Sequence, residues 1–346
     1  MQKFDYKKLK PVAIWLYTCA AAVFAMAIIG AITRLTESGL SIMEWKPITG
    51  ALPPMSDQEW NRVFNLYKET SEFQQQHSWM NLDDFKTIFF WEWFHRLWGR
   101  LIGIIYAVPF FVFLAKGIIP QNLKPRFWGL LALGGLQGFM GWYMVSSGFA
   151  DLTDVSHYRL AMHLGLAFII FGCLLALAMT ISLPPEKTKQ DLKPLKRMAV
   201  FSLKAAFLTM VWGAFVAGLN AGLVYNEFPM MGAYPWPTEG MHMSPWWINL
   251  FENHATVQFI HRCLAVLTLG LICWTWMRAR ASDLPPRAKT AMLSVFIAGW
   301  GQVALGITTL LTQVHMHVAV MHQGGALIVF GALIWLIYEL KGTKNV

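Results

Sequence analysis

Residues 89–115 read FFWEWFHRLWGRLIGIIYAVPFFVFLA, and residues 254–277 read HATVQFIHRCLAVLTLGLICWTWM. Each run is longer than the ~20 apolar residues that a helix needs to cross a bilayer. Each also carries one histidine followed by an arginine at a matching place. The first has Glu92-Trp93-Phe94-His95-Arg96 and the second Gln258-Phe259-Ile260-His261-Arg262, 166 residues apart. The match extends to the neighbouring runs. Gln137 in LGGLQGFMGW pairs with Gln302 in AGWGQVALGI at an offset of 165, and His163 in RLAMHLGLAFIIFG with His322 in AVMHQGGALIVFG at 159. Gly30 and Gly39 pair with Gly213 and Gly222 at 183. One match could be chance. Several in the same order are the trace of a duplication.

Eight apolar stretches can be placed, at about 12–33, 89–115, 127–146, 158–182, 198–219, 254–277, 290–312 and 317–340. The expected fold is therefore an all-α polytopic membrane protein of eight transmembrane helices, arranged as two pseudo-symmetric four-helix bundles. The N-terminal half is 1–190, with a long outer loop at 34–88; the C-terminal half is 191–346. The composition agrees, with 56% hydrophobic and only 14% charged residues against roughly a quarter charged in soluble domains. The first run has a basic leader but no A-x-A-like cleavage site, so it is expected to be a retained span.

Charge orients the chain. The segments before residue 12 and at 116–126, 187–197, 278–289 and 341–344 hold eighteen of the 28 basic residues. The stretches 147–157 and 220–253 hold none, and 34–88 has five basic against eight acidic residues. The positive-inside rule then puts both termini in the cytoplasm and the long loops outside, in a bacterial inner membrane. The net charge of +9 is read as topology, so no nucleic-acid partner is expected. Cys19, Cys173, Cys263 and Cys273 all fall in apolar runs, which argues against a disulfide framework.

Ionisable groups inside spans are costly and face the bundle interior. His95, His163, His261 and His322 all lie one to two turns from the outer ends of their runs, two in each half. A single membrane histidine usually bonds one helix to another. Two facing pairs at one depth can instead each grip a haem iron from both sides. Zinc wants four ligands, often at short local spacings that these residues lack. His315 and His317 are read as surface groups at an outer connection. Arg96, Arg262 and Arg34 are candidate partners for haem propionates, with Arg100 and Arg159 as further options; snorkelling to the interface is the plain alternative for Arg34 and Arg159. Gly99 and Gly103 follow His95 on its own helix face and admit either a macrocycle or a helix. Glu92 lies three residues before His95, while the second copy has Gln258. A carboxyl there can carry protons and an amide cannot, so the halves are expected to differ in role. The alternative is that Glu92 only bonds a neighbouring side chain. The loop 34–88 contains an amphipathic helix near Asp57–Tyr67 and is expected to cover the first site.

The run TRLTESGLSIMEWKPITGALPP from Thr33, followed by FFWEWFHRLWGRLIG from Phe89, resembles the haem A synthase family, as do the surroundings of His163, His261 and His322 over nearly the whole chain. The resemblance implies an oxidoreductase that converts haem O to haem A, oxidising the C8 methyl to a formyl through hydroxylated intermediates. It implies haem b as cofactor, held by His261 and His322, with His95 and His163 as the substrate-haem pair and Glu92 as the catalytic acid of an E-x-x-H motif. Haem O synthase and cytochrome oxidase assembly factors are the implied partners within the lipid, and a homo-oligomer is left open. Some bacterial members carry a cysteine pair in the outer loops. This chain has none there and is similar to the proteobacterial and mitochondrial kind. From the histidines alone, a di-haem b-type electron-transfer cytochrome and a haem transporter or chaperone remain alternatives.

Overall fold

Each apolar run forms a helix, and the polar residues before it decide where the helix begins. In the computed structural model, residues 4–46, 49–146 and 154–341 and the backbone of 343–344 are described. Lys3 and most of the stretch 147–157, which holds no Lys or Arg, lie outside them. The helices are α1 (Tyr6–Leu35), α2 (Asp57–Lys68), α3 (Leu82–Ala115), α4 (Lys124–Ser146), α5 (His157–Ser182), α6 (Lys193–Gly218), α7 (Asn249–Glu252), α8 (His254–Arg280), α9 (Pro286–Leu311) and α10 (Met316–Glu339). The only strands among the described residues are two-residue pieces, β1 (Lys187–Thr188) and β2 (Thr343–Lys344), paired in parallel.

The expected runs and the observed helices agree, with α1 and α6 starting five or six residues early and the largest shift, at α3, having a local cause. The second run was expected from residue 89, but α3 starts at Leu82. Asn81 caps it, accepting from the backbone N–H of Asp83 and Asp84, while the Asp84 carboxylate accepts from Asn81 N–H. This reciprocal box starts a helix in polar sequence, ahead of any apolar signal. At 34 residues α3 is about 50 Å long, well beyond the ~30 Å hydrocarbon core, so one end projects from the bilayer.

Among the described residues, seven helices are long and apolar enough to cross a membrane: α1, α3, α5, α6, α8, α9 and α10. The run at 127–146 is helical as α4, but its five glycines and Gln137 leave it less apolar than the rest. The fold is thus an all-α, multi-pass membrane bundle.

Packing order follows the chain. α1 lies against α3 and α5, α5 against α4 and α6, α6 against α8, and α9 against α10. α10 also closes against α1, α5 and α6. Half of the apolar stretch of α1 and of α5 is buried, against 11% for α3, so α1 and α5 are central and α3 is peripheral. The main core joins Leu16, Phe110, Phe127, Phe168, Leu174 and Leu327. A second core, around Ile272, Met292, Val295 and Leu333, fills the later helices.

The loop between α1 and α3 contains α2, as the amphipathic pattern predicts. Ser56 caps it by accepting from Glu59 N–H. Its Phe64 and Tyr67 pack on Phe85, Ile88 and Phe89 at the projecting end of α3. The two portions of the chain are also tied at both ends of the bundle. Arg34 at the end of α1 donates to the Asn220 side chain and the Ala217 carbonyl beyond and within α6, and pairs with Asp154. At the other end Arg287 meets Glu186 and the buried Glu339.

Candidate functional site

The four membrane histidines share one mounting, a glycine on another helix facing each ring. An added Cβ on Gly30 of α1 would lie 3.2 Å from His95 Cε1, and one on Gly213 of α6 would lie 2.9 Å from His261 Cε1. Likewise Gly141 of α4 faces His163 Cε1 at 3.2 Å, and Gly306 of α9 faces His322 Cε1 at 2.9 Å. Each imidazole therefore sits in a notch that only a glycine leaves open. A methyl group at any of the four positions would be tighter than ordinary van der Waals contact.

Hydrogen bonds then fix the rings. Gln137 donates to the His163 carbonyl at 3.1 Å and lies 3.2 Å from its Nδ1. Gln302 does the same to His322, at 3.0 and 3.2 Å. His261 Nδ1 is 3.0 Å from the Thr209 carbonyl, which can only accept. The proton is thus on Nδ1 and the lone pair on Nε2, the arrangement of a metal-ligating imidazole with an outer hydrogen bond. His95 Nδ1 is buried and has no hydrogen-bond partner.

In the second half the rings of His261 and His322 face each other with centroids 6.5 Å apart and planes at 88°. Two imidazoles bound to one metal through bonds of about 2 Å have ring centres about 6 Å apart. The pair therefore has a spacing that two imidazole ligands of one iron would have. No three His, Cys, Asp or Glu side chains among the described residues converge as a metal cage. His315 and His317 are exposed neighbours, 5.4 Å apart, at the α9–α10 connection.

Glu92 is 3% exposed and fully engaged. It accepts from the Ser41 hydroxyl and the Ile42 N–H, each at 2.7 Å, and from Arg96 at 2.6 Å. Arg96 also donates to the Ile42 and Glu44 carbonyls and lies over the Trp45 ring. The loop after α1 is thereby held onto α3 through one carboxylate. Gln258 occupies the matching position with its polarity reversed. Its amide donates to the Ala221 and Tyr225 carbonyls in the loop after α6, and its carbonyl accepts from Arg262.

The arginines considered as propionate partners already have protein acceptors. Arg34 bridges to Asn220, Ala217 and Asp154; Arg262 donates to Met230 and Tyr225 carbonyls, and its Nε is buried without a partner. Arg100 donates to the Lys46 carbonyl, and Arg159 donates to the Tyr143 carbonyl and stacks on its ring. An added Cβ on Gly99 would lie 3.5 Å from Met26 Cε, and one on Gly103 would meet nothing within 4 Å.

Sequence reasoning singled out the histidines as site candidates, and Gln137, Gln302, Gly30 and Gly213 only as matching positions of the repeat. It missed Gly141, Gly306 and Thr209. The two glycines were legible, because each follows its paired glutamine by four residues, one helical turn. Thr209 acts through its backbone and leaves no side-chain signal.

A family model described as cytochrome oxidase assembly protein matches residues 13–334. Curated relatives named Heme A synthase match almost the full length. That of Rhodospirillum centenum is 49% identical, over 97% of this chain and 90% of its own. That of Nitrosospira multiformis is 42% identical over 98% and 96%, and that of Parvibaculum lavamentivorans 45% identical over 95% and 94%.

Proposed function

The chain belongs to the cytochrome oxidase assembly protein family, and from that premise we propose that it is a haem A synthase. It oxidises the C8 methyl of haem O to a formyl through hydroxylated intermediates. The observation that carries a haem chemistry is the facing pair His261 and His322, at the spacing of two ligands to one iron.

His261 and His322 are the residues that hold haem b, and their ring geometry and the Nδ1–H of His261 fit that group. Bound there, haem b supplies one-electron redox chemistry. His95 and His163 receive the substrate haem O. Their glycine seats match those of the second pair, and the unpartnered His95 Nδ1 suits a ring that gains its partners with the substrate. Glu92 is the catalytic carboxylate. Its three hydrogen bonds hold a negative charge at one place beside the α3 histidine, where protons leave the methyl carbon. Gln258 cannot titrate, which suits a half that keeps its cofactor. Arg96 orients Glu92, and Arg262, with a free buried Nε, is the better propionate partner of the two.

The chain is read as eight spans in two pseudo-symmetric halves, 1–190 for substrate and 191–346 for cofactor, with α4 as the eighth span. Both termini are cytoplasmic, and the histidines lie toward the periplasmic face of the inner membrane. Haem O synthase upstream and cytochrome oxidase assembly factors downstream are its partners.

Two measurements test the reading. His261→Ala or His322→Ala should abolish the low-spin bis-histidine spectrum of the purified protein; its survival in either variant refutes the ligand assignment. Glu92→Ala, followed by pigment extraction, should accumulate haem O or hydroxylated haem at the expense of haem A. An unchanged haem A yield removes Glu92 from the chemistry. A wild-type protein that binds two haems and never yields a formyl-bearing one is an electron-transfer cytochrome instead.

A further inference from the structure

The outer loop of the first half contains a chain of titratable side chains that the reading above leaves unused. Tyr67 is fully buried, and Glu72 and His77 are each 4% exposed. The Tyr67 hydroxyl lies 3.0 Å from Glu72 Oε2 and 2.8 Å from His77 Nδ1. His77 Nε2 lies 3.0 Å from Glu37 Oε2, and the Glu37 side chain is 53% exposed. Three hydrogen bonds therefore lead from a buried carboxyl to water.

A network that only staples the loop would pair its buried charge. Glu72 instead has a phenol as its hydrogen-bond partner. The cations facing this region are committed elsewhere, Arg34 to Asp154 and Arg96 to Glu92. Burial first, then the charges of Glu92, Asp154 and Glu37, push the Glu72 carboxyl up to about 8, against the opposing Tyr67 hydroxyl. Glu72 thus titrates near neutrality and senses the charge on Glu92. Anchoring of the loop has its own source, since Tyr67 stacks on Phe85 and meets Phe73 edge-on. The second half offers no equivalent at Gln258, which is covered by the Ala221 and Tyr225 carbonyls.

We propose that Glu72, Tyr67, His77 and Glu37 form the proton path that drains the first-half site to the outer aqueous face. The path rests on the synthase reading, in which oxidation of a methyl group releases protons beside Glu92. The step from Glu92 to Glu72, whose carboxyl lies in the field of the Glu92 charge, is assigned to a bridging water, which two carboxylates can hold. The Glu72 O–H bond then breaks as its proton passes to the Tyr67 oxygen. The Tyr67 hydroxyl proton passes to His77 Nδ1, and the His77 Nε2 proton passes to Glu37, which yields it to water. One proton leaves for each that arrives, and no electron moves along the chain. Tyr67 and His77 are relay groups here and touch no substrate.

The test uses the full-length protein in membranes supplied with haem O. Tyr67→Phe keeps the ring that stacks on Phe85 and removes only the hydroxyl. At equal protein and equal haem b content, Y67F should make haem A at least about tenfold more slowly than wild type. The wild-type rate should rise as pH passes about 8, and both Y67F and Glu72→Gln should lose that rise. A stapling role would lower protein yield or thermal stability and leave the pH profile per molecule unchanged. Y67F and wild-type rates that coincide across the pH range overturn the path while leaving the synthase reading intact. A wild-type protein that yields no haem A overturns both.

Discussion

Gly213 and Gly306 leave less than 3 Å between an added Cβ and the ring of His261 or His322. Gly213→Ala or Gly306→Ala should turn that ring and weaken haem b retention by about ten- to a hundredfold, the usual cost of disturbing the surroundings of a metal ligand. Haem-to-protein ratios after purification check this. Gly141→Ala, with 3.2 Å available, should be milder and should act on substrate turnover. The Glu72 carboxyl gives a pH dependence of stability. Its folded-state pKa is raised from 4.5 to about 8, so the protonated form favours folding. That contribution is complete below about 4.5 and is lost as pH rises through about 8. Protease nicking of the outer loop should therefore quicken as pH rises toward about 8 and level off above it, and Glu72→Gln should flatten the response. At this scale the sequence was most legible where a residue stood out by type, as with a histidine in a span or Glu92 against Gln258. Glu72 was invisible because an acidic residue in a long loop has no periodicity to betray its burial, and the amphipathic pattern that places Tyr67 on the buried face of α2 says nothing of what its hydroxyl meets.

At the scale of elements, the apolar runs located every long helix, because a helix in lipid must satisfy its own backbone and so needs unbroken apolar sequence. What hydropathy could not locate was the polar extension of α3 from Leu82 to Ile88, which depends on the Asn81 and Asp84 box. α2 was legible from its amphipathic pattern, and its docking site was not. Phe85 is completely buried under Phe64 and Tyr67. Phe85→Ala should cost the loop about 3–5 kcal/mol of local stability, read as faster hydrogen exchange in 57–68. Ser56→Ala should cost about 1 kcal/mol by removing the cap of α2, and the two effects should be separable by the same measurement.

At the scale of the whole molecule, the multi-pass helical bundle was legible from the apolar runs, but the ties across it were not, since they join residues far apart in sequence. Arg287 meets Glu339, whose side chain is 1% exposed. Arg287→Ala strands that carboxylate and should cost of order 2 kcal/mol, below the about 3–5 of a fully buried pair because Arg287 is partly exposed. Thermal unfolding in detergent measures it, and adding Glu339→Gln to the same chain should recover part of the loss. The two ties have a mechanical consequence. Arg34 fastens α1 to the α6 end at one extremity of the bundle, and Arg287 fastens the α5 linker and α10 at the other. Two rivets on opposite ends resist torsion of one half on the other. Neither rivet holds α3 or α4, and most of α4 is exposed at its sides. Restraint from these two rivets is therefore concentrated on α1, α6, α9 and α10, and the α3–α4 wall is held by packing and by the loop contacts at Glu92.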